Sequence, residues 1–301
     1  MPEPKKPFKS GFVAVVGRSN AGKSTLVNAL VGEKVSIVTP VAQTTRNRIL
    51  GIVHRPGAQV VLMDTPGIHR PHSRLNVQMM TFVREALEER DVTLLIADAS
   101  APFGKGDEFA VEFIATHAPR AILLLNKIDR VHKPKLLPLI DRYAKLHNFD
   151  EIFPISALKG TQLDEVMEAV IARLPEGPAY FPDDIYTDQP ERFLASEIVR
   201  EHVIRNTHQE LPHVSAVLVE RFEESETITR IHATILVERE SQKPIVIGAG
   251  GSRIKQIGTE ARLELEKIFP PKVFLELFVR VEPNWRDSSS MVATLDYRKE
   301  G

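Results

Sequence analysis

The chain contains no cysteine. That excludes disulfides, thiolate metal sites and thiol nucleophiles, and makes the cytoplasm the expected location. No apolar run approaches the ~20 residues that a membrane-spanning helix needs. The N-terminus, which opens Met1, Pro2, Glu3, Pro4, Lys5, Lys6, lacks the apolar core of a signal peptide. Net charge is nearly absent, with 39 Lys and Arg against 40 Asp and Glu. The molecule is not a polycation, so any nucleic-acid surface must be local. Tryptophan occurs once, and aromatic residues make up 6% of the chain. What is present, 43% apolar and 26% charged residues over 301 positions, has the composition of a globular protein of two domains.

The stretch Gly17, Arg18, Ser19, Asn20, Ala21, Gly22, Lys23, Ser24 fits G-x-x-x-x-G-K-[ST]. An apolar run, 12–16, precedes it, and a helix-like stretch beginning at Thr25 follows. In that context backbone N–H groups and a helix N-terminus face a phosphate. Lys23 reaches the outer phosphates, and the Ser24 hydroxyl can take a place on Mg²⁺.

Up to about residue 174, strand-like runs at 12–16, 49–53, 60–63, 93–97, 121–125 and 152–155 alternate with helical patterns. The alternation predicts a mostly parallel, doubly wound sheet with helices on both faces. Ligands of such sheets bind at the carboxyl ends of the strands. Leu163, Val166, Met167, Val170 and Leu174 follow helical spacing, and Thr161 with Asp164 suits a capping box.

Three further motifs follow strands. Asp64, Thr65, Pro66, Gly67 places a carboxylate where it can hold Mg²⁺, and a glycine whose N–H can approach a terminal phosphate. Asn126, Lys127, Ile128, Asp129 discriminates between bases. Guanine presents two N–H donors to one side, which the Asp129 carboxylate can accept. Adenine would leave that carboxylate unpaired, which disfavours an ATPase. The Lys127 stem can lie along the base, and Asn126 can tie this loop to the phosphate loop. Ser156, Ala157, Leu158 can turn a backbone amide toward guanine O6. The motifs stand in the same order as in GTPases.

The set resembles the translation-factor-related P-loop GTPases. The resemblance implies that Gln43, Thr44, Thr45, Arg46 form switch I, with Thr45 as the Mg²⁺ ligand and Thr44 as the alternative, and that 65–76 form switch II. Metal ligands are then Ser24, Thr45 and Asp64. The catalytic set is Lys23, Thr45, Asn20 and Gly67. Ile68 stands where Ras-like enzymes carry a glutamine that orients the attacking water. An isoleucine cannot do so, which predicts slow intrinsic hydrolysis or catalysis by another group. In similar GTPases an asparagine at the place of Asn20 helps bind K⁺, which stands in for an arginine finger. Hydrogen bonding within the loop is the alternative.

Four prolines within 175–190 mark a boundary. Beyond it, 191–206 reads as a helix, 214–221 and 228–238 as strands, 252–269 as a helix and 273–281 as a strand. Between them lies Ile247, Gly248, Ala249, Gly250, Gly251, Ser252, Arg253, Ile254, Lys255. The pattern resembles a type II KH domain, whose G-x-x-G loop clamps single-stranded nucleic acid. Propensity makes 245–247 a strand, whereas the resemblance implies a short helix, and the helix is the expectation. Residues 243–286 carry 8 Lys and Arg against 5 Asp and Glu. Ala249 occupies a loop place that is often basic, so phosphate contact should lean on Lys243, Arg253 and Lys255. Trp285 is expected to pack rather than to stack on a base.

A P-loop GTPase followed by a smaller α+β type II KH domain resembles the Era family of bacterial GTPases. The implied division is a flexible arm at 1–10, a GTPase domain at 11–176, a linker at 177–190 and a KH domain at 191–301. The resemblance implies GTP and GDP as ligands, with Mg²⁺ and K⁺. It also implies the 3′ end of small-subunit ribosomal RNA and the small ribosomal subunit as partners, some contact with the inner face of the membrane, and a monomer. The alternative is a nucleotide-gated scaffold that binds a protein and no RNA.

Overall fold

The computed structural model describes residues 7–269 and 272–296. The chain forms two compact units. The first comprises residues up to 36 together with 43–71 and 76–188, and the second 37–42, 72–75 and 189 onward. Residues 72–75 lie inside the stretch expected as switch II.

Six strands build the first unit: β1 (Lys9–Gly17), β2 (Ile49–Arg55), β3 (Ala58–Asp64), β4 (Val92–Asp98), β5 (Ile122–Asn126) and β6 (Glu151–Pro154). Their order is β2-β3-β1-β4-β5-β6. All pairs are parallel except the β2–β3 hairpin. Val13, Ala14, Val15 and Val16 of β1 are fully buried, as a central parallel strand covered on both faces requires. One face carries α2 (Arg74–Glu89), α3 (Lys105–His117) and α4 (Leu136–Leu146), and the other α1 (Lys23–Val31) and α5 (Leu163–Arg173). Strand order reverses around β1, so the ends of β1, β3, β4 and β5 open on one crevice.

Local expectations are corrected at three places. Residues 1–6 of the expected arm lie outside the described residues, and β1 already begins at Lys9. Helix α5 starts after Gln162, whose φ is 58°, with no side-chain cap. Thr161 is instead held by its N–H to Ser156 O, at 3.1 Å. Residues 177–188 of the expected linker are packed within the first unit. Gln59 Oε1 accepts the N–H groups of Tyr180 and Phe181, Thr187 Oγ1 donates to Leu50 O, and Ile52 N–H donates to Tyr186 O. Prolines break helices and ladders but leave carbonyls that an edge strand can use.

The second unit has the order β7 (Ala216–Glu223), β8 (Thr229–Val237), β9 (Val273–Val281), antiparallel then parallel. Ile231, Ala233, Ile235 and Val237 point inward from β8 and are fully buried. They pack on α6 (Glu191–Asn206) and α9 (Ser252–Leu265). Short helices α7 (Leu211–Val214), α8 (Lys243–Ile247) and α10 (Ser289–Thr294) complete the unit. Residues 245–247 are thus helical, against their β-branched propensity. Pro244 near the start of α8 blocks a ladder, and the turn at Gly248 leaves no length for a strand. Trp285 is buried against Ala216 and Leu236, and its Nε1–H donates to Val214 O at 2.8 Å. Among the described residues no helix is long and apolar enough to cross a membrane.

Candidate functional site

The sheet brings the four motifs of the first unit together. The phosphate loop joins β1 to α1, so Lys23, Ser24 and Thr25 form the first turn of that helix. Lys23 is buried, and its Nζ donates to Gly17 O at 3.2 Å and Arg18 O at 3.0 Å. Ser24 Oγ donates to Asp64 Oδ2 at 2.7 Å and lies 2.9 Å from Thr45 Oγ1. Burial lowers the Lys23 ammonium to about 8, with Asp64 opposing the shift. Burial also raises the Asp64 carboxyl above its ordinary range, against the pull of Lys23 and of hydrogen bonds from Ser24 and Thr45.

Asp64 is fully buried, and its Oδ1 has no hydrogen-bond partner. A buried carboxylate oxygen without a donor, beside two hydroxyls, is a set of hard oxygen donors of the kind Mg²⁺ takes. The residues present therefore fit that ion.

The stretch after β3 divides its work. Gly67 touches the phosphate loop so closely that a Cβ there would stand 2.6 Å from Ser19 N. Thr65 is buried and donates its hydroxyl to Val15 O at 2.8 Å, which commits that hydroxyl to the sheet. Pro66 is also buried. Ile68, expected among the nucleotide contacts, sends its side chain into the core and its N–H to Gly17 O at 2.9 Å. It supports the phosphate loop through that bond.

At the base end, Asn126 ties three segments together. Its Nδ2 donates to Ala21 O at 2.8 Å, and its Oδ1 accepts from Lys127 N–H at 2.8 Å and Ala157 N–H at 2.9 Å. Of the amides of 156–158, one of which is expected at guanine O6, that of Ala157 is engaged by Asn126. Ser156 Oγ donates to Asp129 Oδ1 at 2.6 Å and orients that carboxylate. Leu158 is 64% exposed. Lys127 Nζ donates to Asn20 O and to Asp98 Oδ2, both at 2.6 Å.

In the second unit the loop 248–251 joins α8 to α9. Gly248 has φ 75°, and a Cβ there would stand 2.8 Å from Arg253 N, so the fold itself requires glycine at this place. Gly250 and Gly251 have nothing within 4 Å of an added Cβ and are open to a ligand. Ala249 and Lys255 are exposed and Lys243 half-buried. Arg253 Nη1 donates to Ile245 O at 2.5 Å, which commits it in part to closing α8. A groove of about 360 Å³ runs between α9 and β9, lined by Ile254, Lys255, Gly258, Thr259, Leu275 and Leu277 among others. Residue spacing had singled out only the loop. The groove depends on two elements meeting, which no local pattern records.

These geometries agree with what the chain resembles. Residues 12–127 match the family described as 50S ribosome-binding GTPase, and residues 210–286 match the KH domain. The GTPase Era of Syntrophus aciditrophicus (strain SB) is 47% identical over 294 residues, 97% of this chain and 96% of that protein. The chain belongs to the Era family of GTPases. The GTPase Era of Staphylococcus haemolyticus (strain JCSC1435) is 43% identical over 96% of this chain and 97% of its own. A crystal structure of Era with MgGDPNP and nucleotides 1506–1542 of 16S ribosomal RNA superposes with a TM-score of 0.91 at 42% identity, covering 96% of this chain and 99% of that one. An Aquifex aeolicus Era variant bound to GDP·AlF4⁻ gives the same TM-score, identity and coverage. Membership in the Era family accounts for both units and leaves no large part of the chain unmatched.

Proposed function

We propose that this Era-family chain binds GTP and GDP with Mg²⁺ and hydrolyses GTP. In its GTP state it engages single-stranded small-subunit ribosomal RNA near the 3′ end during maturation of the small ribosomal subunit. The observation that carries this reading is the likeness, over 96% of the chain, to an Era crystallised with both MgGDPNP and a 16S ribosomal RNA segment. Ser24, Thr45 and Asp64 would hold Mg²⁺, which would supply positive charge against the charge that develops on the phosphates. Lys23 leaves its two carbonyl partners for the phosphates. Gly67 offers its N–H to the terminal phosphate, and Asp129, held by Ser156, accepts the two guanine N–H groups.

Ile68 cannot orient a water, so hydrolysis is slow unless assisted. Asn20 is the residue that would bring K⁺ to the phosphates, and turnover in KCl should then exceed turnover in NaCl. Equal rates would remove K⁺ from the reading. For RNA, the open Gly250 and Gly251 admit the sugar-phosphate chain, with Lys243, Lys255 and Arg253 beside it. The groove between α9 and β9 offers apolar walls to a base. Cytoplasmic residence, peripheral contact with the inner face of the membrane and a monomeric state extend the same family reading.

The test is fluorescence anisotropy with an oligonucleotide of the small-subunit RNA 3′ end. Binding should be tighter with a non-hydrolysable GTP analogue than with GDP, weaken with salt, and be lost in Gly250→Asp. Binding that is indifferent to nucleotide and to this substitution would sink the proposal.

A further inference from the structure

The phosphate loop is gripped by two carboxylates that belong to none of its motifs. Both lie at the β4–α3 connection. Asp107, in the first turn of α3, is only 6% exposed. Its Oδ2 accepts from Arg18 Nη1 at 2.6 Å and from Gly104 N–H at 3.0 Å, and its Oδ1 from the Tyr143 hydroxyl of α4 at 3.2 Å. Burial, then the Asp107 charge, push the Tyr143 hydroxyl far above its ordinary range, so it stays a donor. Gly106 fits the same arrangement, since a Cβ there would stand 2.6 Å from Arg18 Nε. The second carboxylate, Asp98, ends β4. It accepts from Lys127 Nζ at 2.6 Å and from Ser100 N–H and Oγ at 2.9 and 2.6 Å. The same Lys127 ammonium bonds the backbone carbonyl of Asn20.

We infer that Asp107 and Asp98 are positioning residues for GTP and GDP. Asp107 holds the phosphate loop through Arg18, and Asp98 holds it through Lys127. Neither carboxylate meets the nucleotide. Arg18 presents its backbone carbonyl to Lys23 Nζ at 3.0 Å, so fixing the Arg18 side chain fixes the parking place of the lysine that must reach the phosphates. A loop lined with converging N–H groups and a buried ammonium has no intrinsic reason to stay open. Two charge-assisted hydrogen bonds from a rigid segment keep it so before the ligand arrives, and the ordering cost falls on folding instead of binding. Such an effect is the same for ground state and transition state. It therefore appears in affinity and KM, and not in kcat.

The inference rests on the GTPase reading, and the experiment separates the two. Full-length protein is titrated with fluorescent GDP and a GTP analogue, and steady-state hydrolysis is measured alongside. If the unsubstituted protein binds neither nucleotide, the GTPase reading fails. If it binds, Asp107→Asn is expected to raise both Kd values together by about tenfold, the loss of one hydrogen bond to a charged group. KM should follow, with kcat changed less than about twofold. Arg18→Ala should act alike, and the Asp107→Asn/Arg18→Ala double variant should be no worse than either alone, because the pair acts as one unit. Asp98→Asn shares no partner with Asp107 and should add to it. Should Asp107→Asn fail to fold, Tyr143→Phe and Gly106→Ala carry the test. The first removes one donor to the carboxylate and the second crowds the guanidinium, and each should raise Kd about threefold. Unchanged Kd with a lowered Tm, or a double variant equal to the product of its singles, would overturn the inference.

Discussion

In the first unit every variable residue of the phosphate loop is touched from outside the loop. Arg18 is held from α3, Ser19 by the close approach of Gly67, Asn20 by Lys127, and Ala21 by Asn126. In the second unit Gly248 of the loop 248–251 packs on the start of α9 and its carbonyl accepts from Gly251 N–H at 3.2 Å, while an added Cβ at Gly250 or Gly251 would meet open space. The difference suits what each loop is proposed to bind. A nucleotide with fixed phosphate geometry is met best by a loop whose shape is settled in advance. A single strand that can thread is met by an open loop with lysines at its margin.

If that contrast is right, damage to the first loop should spread and damage to the second should stay local. The largest effect is expected for Lys23→Ala. Nucleotide affinity should fall by about a thousandfold through loss of two or more charged hydrogen bonds, while the RNA affinity of nucleotide-free protein stays within about twofold. Nucleotide titration and RNA anisotropy on one preparation would show it. Normal GTP binding by this variant would refute the assignment of the site.

Asn126→Ala should come next. It releases three hydrogen bonds, two of which join separate segments, so GTP affinity should drop about a hundredfold, and thermal unfolding of the first unit should shift downward as well. A loss of affinity with unchanged Tm would break the picture of an interlocked site. In the second unit, Gly248→Ala should cost about 2–3 kcal/mol in urea unfolding, because a Cβ meets the start of α9 in a left-handed backbone. Gly250→Ala, in open space, should cost only about 1 kcal/mol. Equal costs would mean that the loop is held at both ends. The smallest effect is Lys255→Ala, which should weaken RNA binding about threefold and lower the salt slope by about one without touching GTP affinity.

Much of the nucleotide site was legible because its chemistry is local. Gly17, Lys23, Ser24, Asp64, Asn126 and Asp129 each stand beside a buried strand, and a strand followed by a specific turn puts a side chain in one place. Ile68 misled in part. Its inability to hold a water was readable, but its absorption into the core was not. Ala157 is similar, since its amide belongs to a motif yet is consumed by Asn126 from another strand. The expected capping box at Thr161 failed because that threonine is drawn back to Ser156. Asp98 and Asp107 carry no local signature at all. Each is an ordinary acid at a strand end or helix start, and only the crossing of β4 and α3 beside the phosphate loop gives it a basic partner.

The amino-acid sequence by itself determined two domains, the nucleotide chemistry and the glycine loop of the KH unit, because each rests on residues close together in the chain. Folding alone decided which carbonyls, amides and carboxylates are free to meet a ligand. That choice depends on neighbours brought from distant segments, such as Asp107 to Arg18, Asn126 to Ala157 and β9 to α9. A buried polar group takes whichever partner the packed elements leave within reach.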